Sequence, residues 1–183
     1  MGYVKAGGRR PRSSWRLPTA YHPPLGKPLL VLLPCARRKP YSESPFHIAV
    51  AAALRDCERE VHFCTISEEV GIVPRELERS IPDYDTYPDE GGVARAAAAL
   101  SDYISRYGHH YSSGFAYATS RTFRTIVKRG TAGSRLGVVL IPRDGSFSKR
   151  SAFFEFMRCR AELRAQVMAR SNGSYGRNSK ART

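Results

Sequence analysis

The stretch LLVLLPCARRKPYSESPFH, residues 29–47, decides the fold class of this chain. Its five leading residues form a short continuous apolar run, which is typical of a strand buried in a parallel sheet. Ser44 and Pro45 suit the N-cap and the first turn of a helix, and an Ala-rich helical segment follows them to about residue 59. The stretch therefore predicts a strand, a loop and a helix in succession.

The rest of the chain continues this alternation. Further strands are predicted at residues 60–66, 114–118 and 136–141, and helices at residues 93–107, 121–129 and 148–170. The alternation predicts a three-layer α/β/α protein with a mostly parallel four-stranded sheet. Ligands of such sheets bind at the carboxyl ends of the strands, which here are the loops after Leu33, Ile66, Ala118 and Ile141. The proline-punctuated segment 74–92 is predicted to be a long loop with a functional role.

The positive charge is concentrated at the two ends of the chain. The formal net charge is +14, and nine of these charges lie in residues 1–26 and 170–183, which contain no acidic residue. Both ends are rich in small and polar residues, so alone they bury too little apolar surface to fold. We therefore predict a basic extended N-terminal arm at residues 1–26, an α/β core domain at residues 27–169 and a basic C-terminal tail at residues 170–183.

These basic ends are predicted to bind RNA. Cationic arms interleaved with aromatic residues suit phosphate neutralisation and base stacking. The alternative is that the ends only increase solubility. The residues predicted to bind RNA, in the ends and in the loop after the first strand, are Lys5, Arg9, Arg10, Arg12, Trp15, Arg16, Arg37, Arg38, Arg177, Lys180 and Arg182.

Composition excludes several other classes of protein. No apolar run approaches the ~20 residues of a membrane-spanning helix, and the N-terminus lacks the apolar block of a secretory signal. We therefore expect a cytoplasmic protein with no membrane partner. The four cysteines match no CxxC spacing, so neither a zinc site nor a disulfide framework is predicted. No metal or other cofactor is expected.

The loop between the first strand and the first helix carries the candidate chemistry. It combines a thiol, an amine, a phenol, hydroxyls and an imidazole, and a pairing of Cys35 as nucleophile with His47 as acid or base is chemically sensible. The alternative is structural. Lys39 and Arg37 would then bind phosphate, while Ser44 caps the helix and His47 packs in its first turn. Residue types alone favour this structural alternative.

Two motifs resemble a known family. The first is Pro-Cys, three residues, Lys-Pro-Tyr, two residues, Ser, two residues, His, which begins at Pro34. The second is the Val-Pro-Arg-Glu-Leu core of residues 73–77, which follows the second predicted strand. Both resemble segments of the archaeosine synthase alpha family, the archaeal relatives of tRNA-guanine transglycosylase. The resemblance covers roughly residues 29–142.

This resemblance implies an archaeal source, a fold similar to uracil-DNA glycosylase, and chemistry on tRNA. Members of the family add an amine, lysine, to the nitrile of 7-cyano-7-deazaguanine. His47 or Tyr41 would protonate the imide nitrogen that develops as the amine attacks. The residues implied around the modified base are Cys35, Lys39, Tyr41, Ser44 and His47, with Pro74, Arg75 and Glu76 as support.

The chain differs from the full-length enzymes, which carry a transglycosylase-like portion before this core and a terminal RNA-binding domain after it, so a standalone short form is expected.

The first functional hypothesis is a ribosome-associated structural protein of the archaeal translation apparatus. Its arms would lie in ribosomal RNA beside neighbouring ribosomal proteins, and the charge of the ends favours it. The second is a tRNA-modifying enzyme of archaeosine biosynthesis, favoured by the motif. Weaker alternatives are a DNA-glycosylase-like activity and binding of an unidentified RNA.

Overall fold

The computed structural model describes residues 15–81, 91–143, 145 and 152–178, with the backbone alone at 152–155 and 172–178. The strands are β1 (Leu29–Pro34), β2 (Val61–Ser67), β3 (Gly71–Pro74), β4 (Ser113–Tyr117) and β5 (Val138–Ile141). The α-helices are α1 (Pro45–Ala53), α2 (Gly92–Tyr107), α3 (Arg121–Gly130) and α4 (Ala152–Asn178). Short 3-10 helices span Tyr41–Glu43, Arg55–Glu60, Arg75–Ser80 and Gly108–His110.

One mostly parallel sheet forms the centre of the domain. Its strand order is β3-β2-β1-β4-β5, and β1 pairs in parallel with both β2 and β4. β4 pairs in parallel with β5, whereas the edge strand β3 runs antiparallel to β2. The parallel character confirms the prediction, but the sheet has five strands where four were predicted.

The additional strand β3 was missed because it is only four residues long and follows β2 through a tight turn. Gly71 begins it at a φ of +80°, and a Cβ there would lie 2.8 Å from the Ala99 side chain. Glycine is therefore required at this position. Four residues are too few to show the alternation by which a strand is recognised in a sequence.

Helices cover both faces of the sheet, which confirms the three predicted layers. Leu30 and Leu32 of β1 face the layer formed by α2 and α3. Leu29, Val31 and Leu33 face the layer formed by α1 and α4. This alternation explains why β1 is continuously apolar, since each of its two faces packs against helices.

Several helix boundaries differ from the predicted ones. α1 ends at Ala53, and the chain continues as the 3-10 helix Arg55–Glu60. α4 extends to Asn178, so residues 170–178 of the predicted tail are helical. Ser171 is buried and donates to Glu60 Oε1 at 2.6 Å, a tertiary contact that the composition of the tail does not reveal. Among the described helices, none is both long and apolar enough to cross a bilayer.

The predicted N-terminal arm also overlaps the packed domain. Tyr21 is buried, and its backbone carbonyl accepts a hydrogen bond from the Tyr107 hydroxyl at 2.9 Å. The two rings meet edge to face with their centroids 5.6 Å apart. The chain therefore joins the core several residues before position 27.

Candidate active site at the carboxyl ends of the strands

The carboxyl ends of β1, β2, β4 and β5 lie at the same edge of the sheet because these strands are parallel. The loop from Cys35 to Ser44, here named the carboxyl-end loop, leaves β1 at this edge and leads into α1. Cys35 N donates to the Ile66 carbonyl at 3.1 Å, so the loop starts beside the end of β2. This is the edge at which open α/β sheets bind ligands.

A small apolar cluster anchors the carboxyl-end loop. The Tyr41 side chain is fully buried and packs with Val70, in the turn between β2 and β3, and with Val73 of β3. Cys35 is half-buried against the same cluster. Tyr41 therefore holds the loop in place, and its ring lies away from solvent.

Ser44 and His47 connect the loop to the helix and the strand. Ser44 Oγ accepts from His47 N at 3.3 Å, which caps α1 as predicted. The ring N–H at Nε2 of His47 donates to the Pro34 carbonyl at 2.9 Å. Burial lowers the pKa of His47 to about 4, so the ring is neutral near pH 7. These contacts match the structural alternative for both residues.

The Cys35 thiol is in a poor environment for a thiolate. Burial, and then the Glu68 carboxylate, raise the pKa of the thiol, and the Lys39 ammonium offsets this only in part. A thiol with a raised pKa is protonated near neutral pH and is a weak nucleophile. The opposing effect of Lys39 shows that its charge acts on the surroundings of Cys35.

The middle of the carboxyl-end loop presents cations. Arg37 and Arg38 are exposed and Lys39 is half-buried. Arg38 lies 3.6 Å from Glu43, which also pairs with Arg79 at 3.4 Å. The loop thus offers positive charge at the ligand-binding edge of the sheet.

Glu78 was not among the predicted site residues, yet it supports this loop directly. Its buried carboxylate accepts a hydrogen bond from Ser42 N at 2.8 Å through Oε2. It belongs to the 3-10 helix Arg75–Ser80, which was predicted as part of an irregular loop. The one available signal was its position directly after the second family motif, residues 73–77.

Of the predicted supporting residues, Pro74 and Glu76 have their contacts elsewhere, whereas the positive charge of Arg75 adds to burial in lowering the pKa of His47. Pro74 pairs with Cys64 in the sheet, and the Arg75 guanidinium lies 4.0 Å from the centroid of the Phe63 ring. Glu76 contacts His62, which lies four residues before Ile66 along β2, or about 13 Å at the rise of a strand. The structure therefore places Glu76 towards the opposite end of the sheet.

At that opposite end, polar side chains form a second group, here named the amino-end polar cluster. His62 Nδ1 lies 2.7 Å from the Tyr111 hydroxyl, and its Nε2 lies 3.3 Å from Glu76 Oε2. The Tyr21 hydroxyl donates to Glu76 Oε1 at 2.7 Å. The members of the cluster are Tyr21, His62, Cys64, Glu76, Tyr103 and Tyr111.

The amino-end polar cluster favours a charged His62. Burial opposes this charge, but the Cys64 sulfur and the Glu76 carboxylate together raise the pKa of His62 to about 10. Burial likewise opposes charge on Glu76, while hydrogen bonds from His62 and Tyr21 lower the pKa of its carboxyl group on balance. The two residues therefore form an ion pair in which His62 is buried beside Tyr21 and Tyr111 and Glu76 is partly exposed. Sequence analysis did not identify this cluster because its members are far apart along the chain.

Part of the predicted RNA-binding set can be placed. Trp15 is half-buried against the cluster around Tyr41, and its Nε1 donates to Ser80 Oγ at 3.2 Å. Arg16 is exposed and donates to the Trp15 carbonyl at 2.9 Å. Arg177 lies within helix α4. The residues outside the described part of the chain are Lys5, Arg9, Arg10, Arg12, Lys180 and Arg182.

No group of His, Cys, Asp or Glu side chains suited to a metal occurs within the described ranges. The four cysteines are free thiols, and Cys57, Cys64 and Cys159 are buried. The side chains that the carboxyl-end loop offers for chemistry include Lys39, the protonated Cys35 thiol and the exposed Arg37 and Arg38.

The fold defines the class of protein. It is an α/β domain with a cationic loop at the carboxyl ends of its strands. The chain belongs to the family described as a domain of unknown function, DUF5591, whose model matches residues 12–148.

Two relatives have established names. The archaeosine synthase subunit alpha of Methanosarcina acetivorans is 36% identical over 140 residues, which are 73% of this chain and 21% of that protein. The archaeosine synthase of Haloferax volcanii is 32% identical over 106 residues, or 55% of this chain and 17% of that protein. The chain thus spans about a fifth of the length of these relatives. They confirm the resemblance to the archaeosine synthase core.

A solved structure shares the fold. The crystal structure of AF0587, a protein of unknown function, superimposes with a TM-score of 0.54 and is 25% identical in sequence. The match covers 74% of this chain and 44% of that one.

Proposed function

We propose that this domain acts in archaeosine biosynthesis, where it adds the amine of free lysine to the nitrile of 7-cyano-7-deazaguanine in tRNA. The observation that carries this proposal is the match to archaeosine synthase alpha subunits across most of the chain. A cationic loop at the ligand-binding edge of the sheet supports it. A topology similar to uracil-DNA glycosylase, which suits binding of an extruded base, is part of the same proposal.

The proposed reaction is an addition with no leaving group. The lone pair of the lysine amine forms a new bond to the nitrile carbon, and one carbon–nitrogen π bond breaks. The electron pair moves to the nitrile nitrogen, which takes up a proton as the amine nitrogen loses one, so the product is an amidine. The domain must therefore stabilise negative charge on that nitrogen and guide one proton.

Lys39 is the best placed residue for this task. His47 is neutral, buried and already donates to Pro34, and Tyr41 is fully buried. Lys39 is half-buried in the carboxyl-end loop, and its charge acts on neighbouring Cys35. An ammonium group at this position would stabilise the developing charge and supply the proton.

Direct attack by the amine suits this site better than a covalent intermediate on Cys35. A thioimide intermediate needs a thiolate, and the environment of Cys35 raises the pKa of its thiol. We therefore assign Cys35 to the wall of the site and expect Cys35→Ser to retain more than about half of the activity, since the serine hydroxyl preserves the approximate size of the side chain. A loss beyond ~10²-fold in a folded variant would restore the covalent mechanism.

The ribosomal hypothesis rested on the charge of the ends, and relatives named archaeosine synthase favour the tRNA-modification hypothesis over it. Deletion of the gene in the source cell tests the choice. Mass spectrometry of tRNA nucleosides should show loss of archaeosine and accumulation of its nitrile precursor, both reversed by the wild-type gene. Unchanged nucleosides, together with comigration of the protein with a ribosomal subunit at high salt, would overturn the proposal.

A further inference from the structure

The outward surface of α3 is strongly basic. At 3.6 residues per turn, Arg121 and Lys128 fall opposite the buried residues of the helix, and both are exposed, as is Arg129 at the flank. Arg124 is half-buried and donates to the Ala118 and Pro142 carbonyls, so it is not part of this surface. The buried side consists of Phe123, Ile126, Val127 and Gly130.

Acidic residues are absent from the sequence of this region up to Asp144, which follows Arg143. Residues 118–143 contain six Lys or Arg residues and no Asp or Glu. In the neighbouring helix α2 the one acidic residue, Asp102, accepts from Arg106 Nε at 3.1 Å. On the other face of the sheet, by contrast, the basic residue Arg164 pairs with Asp56 at 2.5 Å.

Local stability explains only part of this pattern. Lys128 and Arg129 in the last turn complement the negative end of the helix dipole. Arg121 opens the first turn, where its charge opposes the positive end of the dipole, and no acidic residue accompanies it there. Its position is therefore unfavourable in the isolated helix and suits an external anion.

The basic surface connects the two ends of the sheet. Arg121 follows β4 closely, at the edge that carries the carboxyl-end loop. The ten residues of α3 span about 15 Å towards the other edge. There, a groove of about 530 Å³ lies between the ends of α2 and α3. Its lining includes the polar residues Arg135, His109, Ser101, Ser105 and Ser134.

We propose that α3 and this groove form a binding surface for the sugar-phosphate backbone of RNA. RNA that lies along the outward side of α3 would bring one end of the bound segment to the carboxyl-end loop, where the target nucleotide would enter. Cations and hydroxyls are the side chains that contact phosphate and ribose. This inference rests on the proposed function, and it assigns the docking of the tRNA to the core domain in addition to the basic ends.

The surface fits RNA better than a membrane. Among the described residues, the large apolar side chains that are exposed are Leu25, Ile48 and Met157, and none of them lies on α3 or in the groove. A helix that binds the membrane interface requires an apolar face in addition to its cations. The apolar side of α3 is already buried against the sheet and α2.

The test compares two variants of the full chain with equal loss of charge. Arg121→Gln with Lys128→Gln alters the basic surface, and Arg55→Gln with Arg59→Gln alters exposed arginines of the 3-10 helix Arg55–Glu60. Binding of an unmodified tRNA transcript is measured from 50 to 200 mM salt. The α3 variant should lower the salt slope of log K by about two units and weaken binding at least tenfold at the lowest salt, while the control keeps the wild-type slope.

Equal slopes for the α3 variant and wild type, or equal losses in both variants, would overturn the inference. Wild-type binding to phosphatidylserine vesicles without binding to tRNA would overturn it too. Thermal unfolding checks that both variants fold, and because all four substituted residues are outward-facing, we expect wild-type midpoints. The assay requires no turnover, so a docking surface that is confirmed while gene deletion leaves archaeosine intact would refute the proposed function alone.

Discussion

The carboxyl-end loop and the amino-end polar cluster lie at opposite ends of the same strands and use similar residue types in different ways. In the cluster, His62 and the tyrosines are buried and hydrogen-bonded to one another, and His62 pairs with the partly exposed Glu76. In the loop Tyr41 is buried, as is His47 in the first turn of α1, while Arg37 and Arg38 remain exposed at the edge of the sheet. Polar groups that satisfy one another hold a fold together, whereas cations at a ligand-binding edge are available for function.

Two carboxylates of one 3-10 helix illustrate this difference. Glu76 turns to the amino-end polar cluster, where it accepts from Tyr21. Glu78, two residues later, turns to the carboxyl-end loop and accepts from Ser42 N. The helix Arg75–Ser80 therefore links the two regions, and its two carboxylates allow them to be perturbed separately.

Removal of the cation from the carboxyl-end loop should have the largest effect. Lys39→Gln should lower the rate of lysine addition by about 10²-fold or more, because it removes the group that stabilises charge on the nitrile nitrogen. The rate is measured by mass spectrometry of the modified nucleoside at saturating tRNA. The adjacent variant Arg38→Gln is the control and should change this rate less than about threefold, since Arg38 is 64% exposed and lies in an ion pair with Glu43. Similar losses in both variants would show that only the charge of the loop matters.

Replacement of the buried histidines should separate the stabilities of the two regions. His62→Leu leaves Glu76 and Tyr111 without their common partner and should lower the free energy of unfolding by about 3 kcal/mol. This value is at the low end for a broken buried ion pair because the Glu76 side chain is 37% exposed. His47→Leu removes one hydrogen bond to Pro34 and should cost about half as much. Urea denaturation at pH 7 measures both changes. A larger loss of unfolding free energy for His47→Leu than for His62→Leu would contradict the stronger structural role given to His62.

The ion pair also predicts a dependence of stability on pH. The pKa of His62 is raised from 6.5 to about 10, so its proton contributes stability fully below pH 6.5, and this contribution is lost as the pH rises through about 10. Between pH 7 and 8.5, folded His62 keeps a proton that the unfolded chain releases. The difference in unfolding free energy between wild type and His62→Leu should therefore shrink by about 1.4 kcal/mol per pH unit. A constant difference would contradict the charged state of His62.

Glu76 and Glu78 provide the test with the smallest expected effect and the highest specificity. Glu78→Ala should slow lysine addition by roughly tenfold, because loss of the carboxylate that holds Ser42 N only loosens the carboxyl-end loop. This loss is smaller than the ~10²-fold that displacement of a catalytic group by 1 Å can cause. Glu76→Ala should destabilise the protein yet leave the rate per folded molecule unchanged. Rates normalised to the folded fraction from circular dichroism distinguish the two. A slower rate in Glu76→Ala alone would mean that the cluster, and not the loop, contains the chemistry.

The sequence by itself determined the layered α/β fold and the position of the candidate loop. The apolar run of β1, the serine cap of α1 and the amphipathic pattern of α2 are local signals, since each depends on residues near one another along the chain. The family motif beginning at Pro34 likewise predicted which loop is the candidate site.

Tertiary structure decided which of the candidate site residues are accessible to a ligand and which are buried with structural contacts. The burial of Tyr41, the bond from His47 to Pro34 and the opposite directions of Glu76 and Glu78 depend on contacts between distant segments. The same holds for β3, whose pairing with β2 outweighs its weak local pattern, and for the last turns of α4, where Ser171 contacts Glu60. A residue type states what chemistry is possible, but only its packed surroundings set its charge, its exposure and its partner.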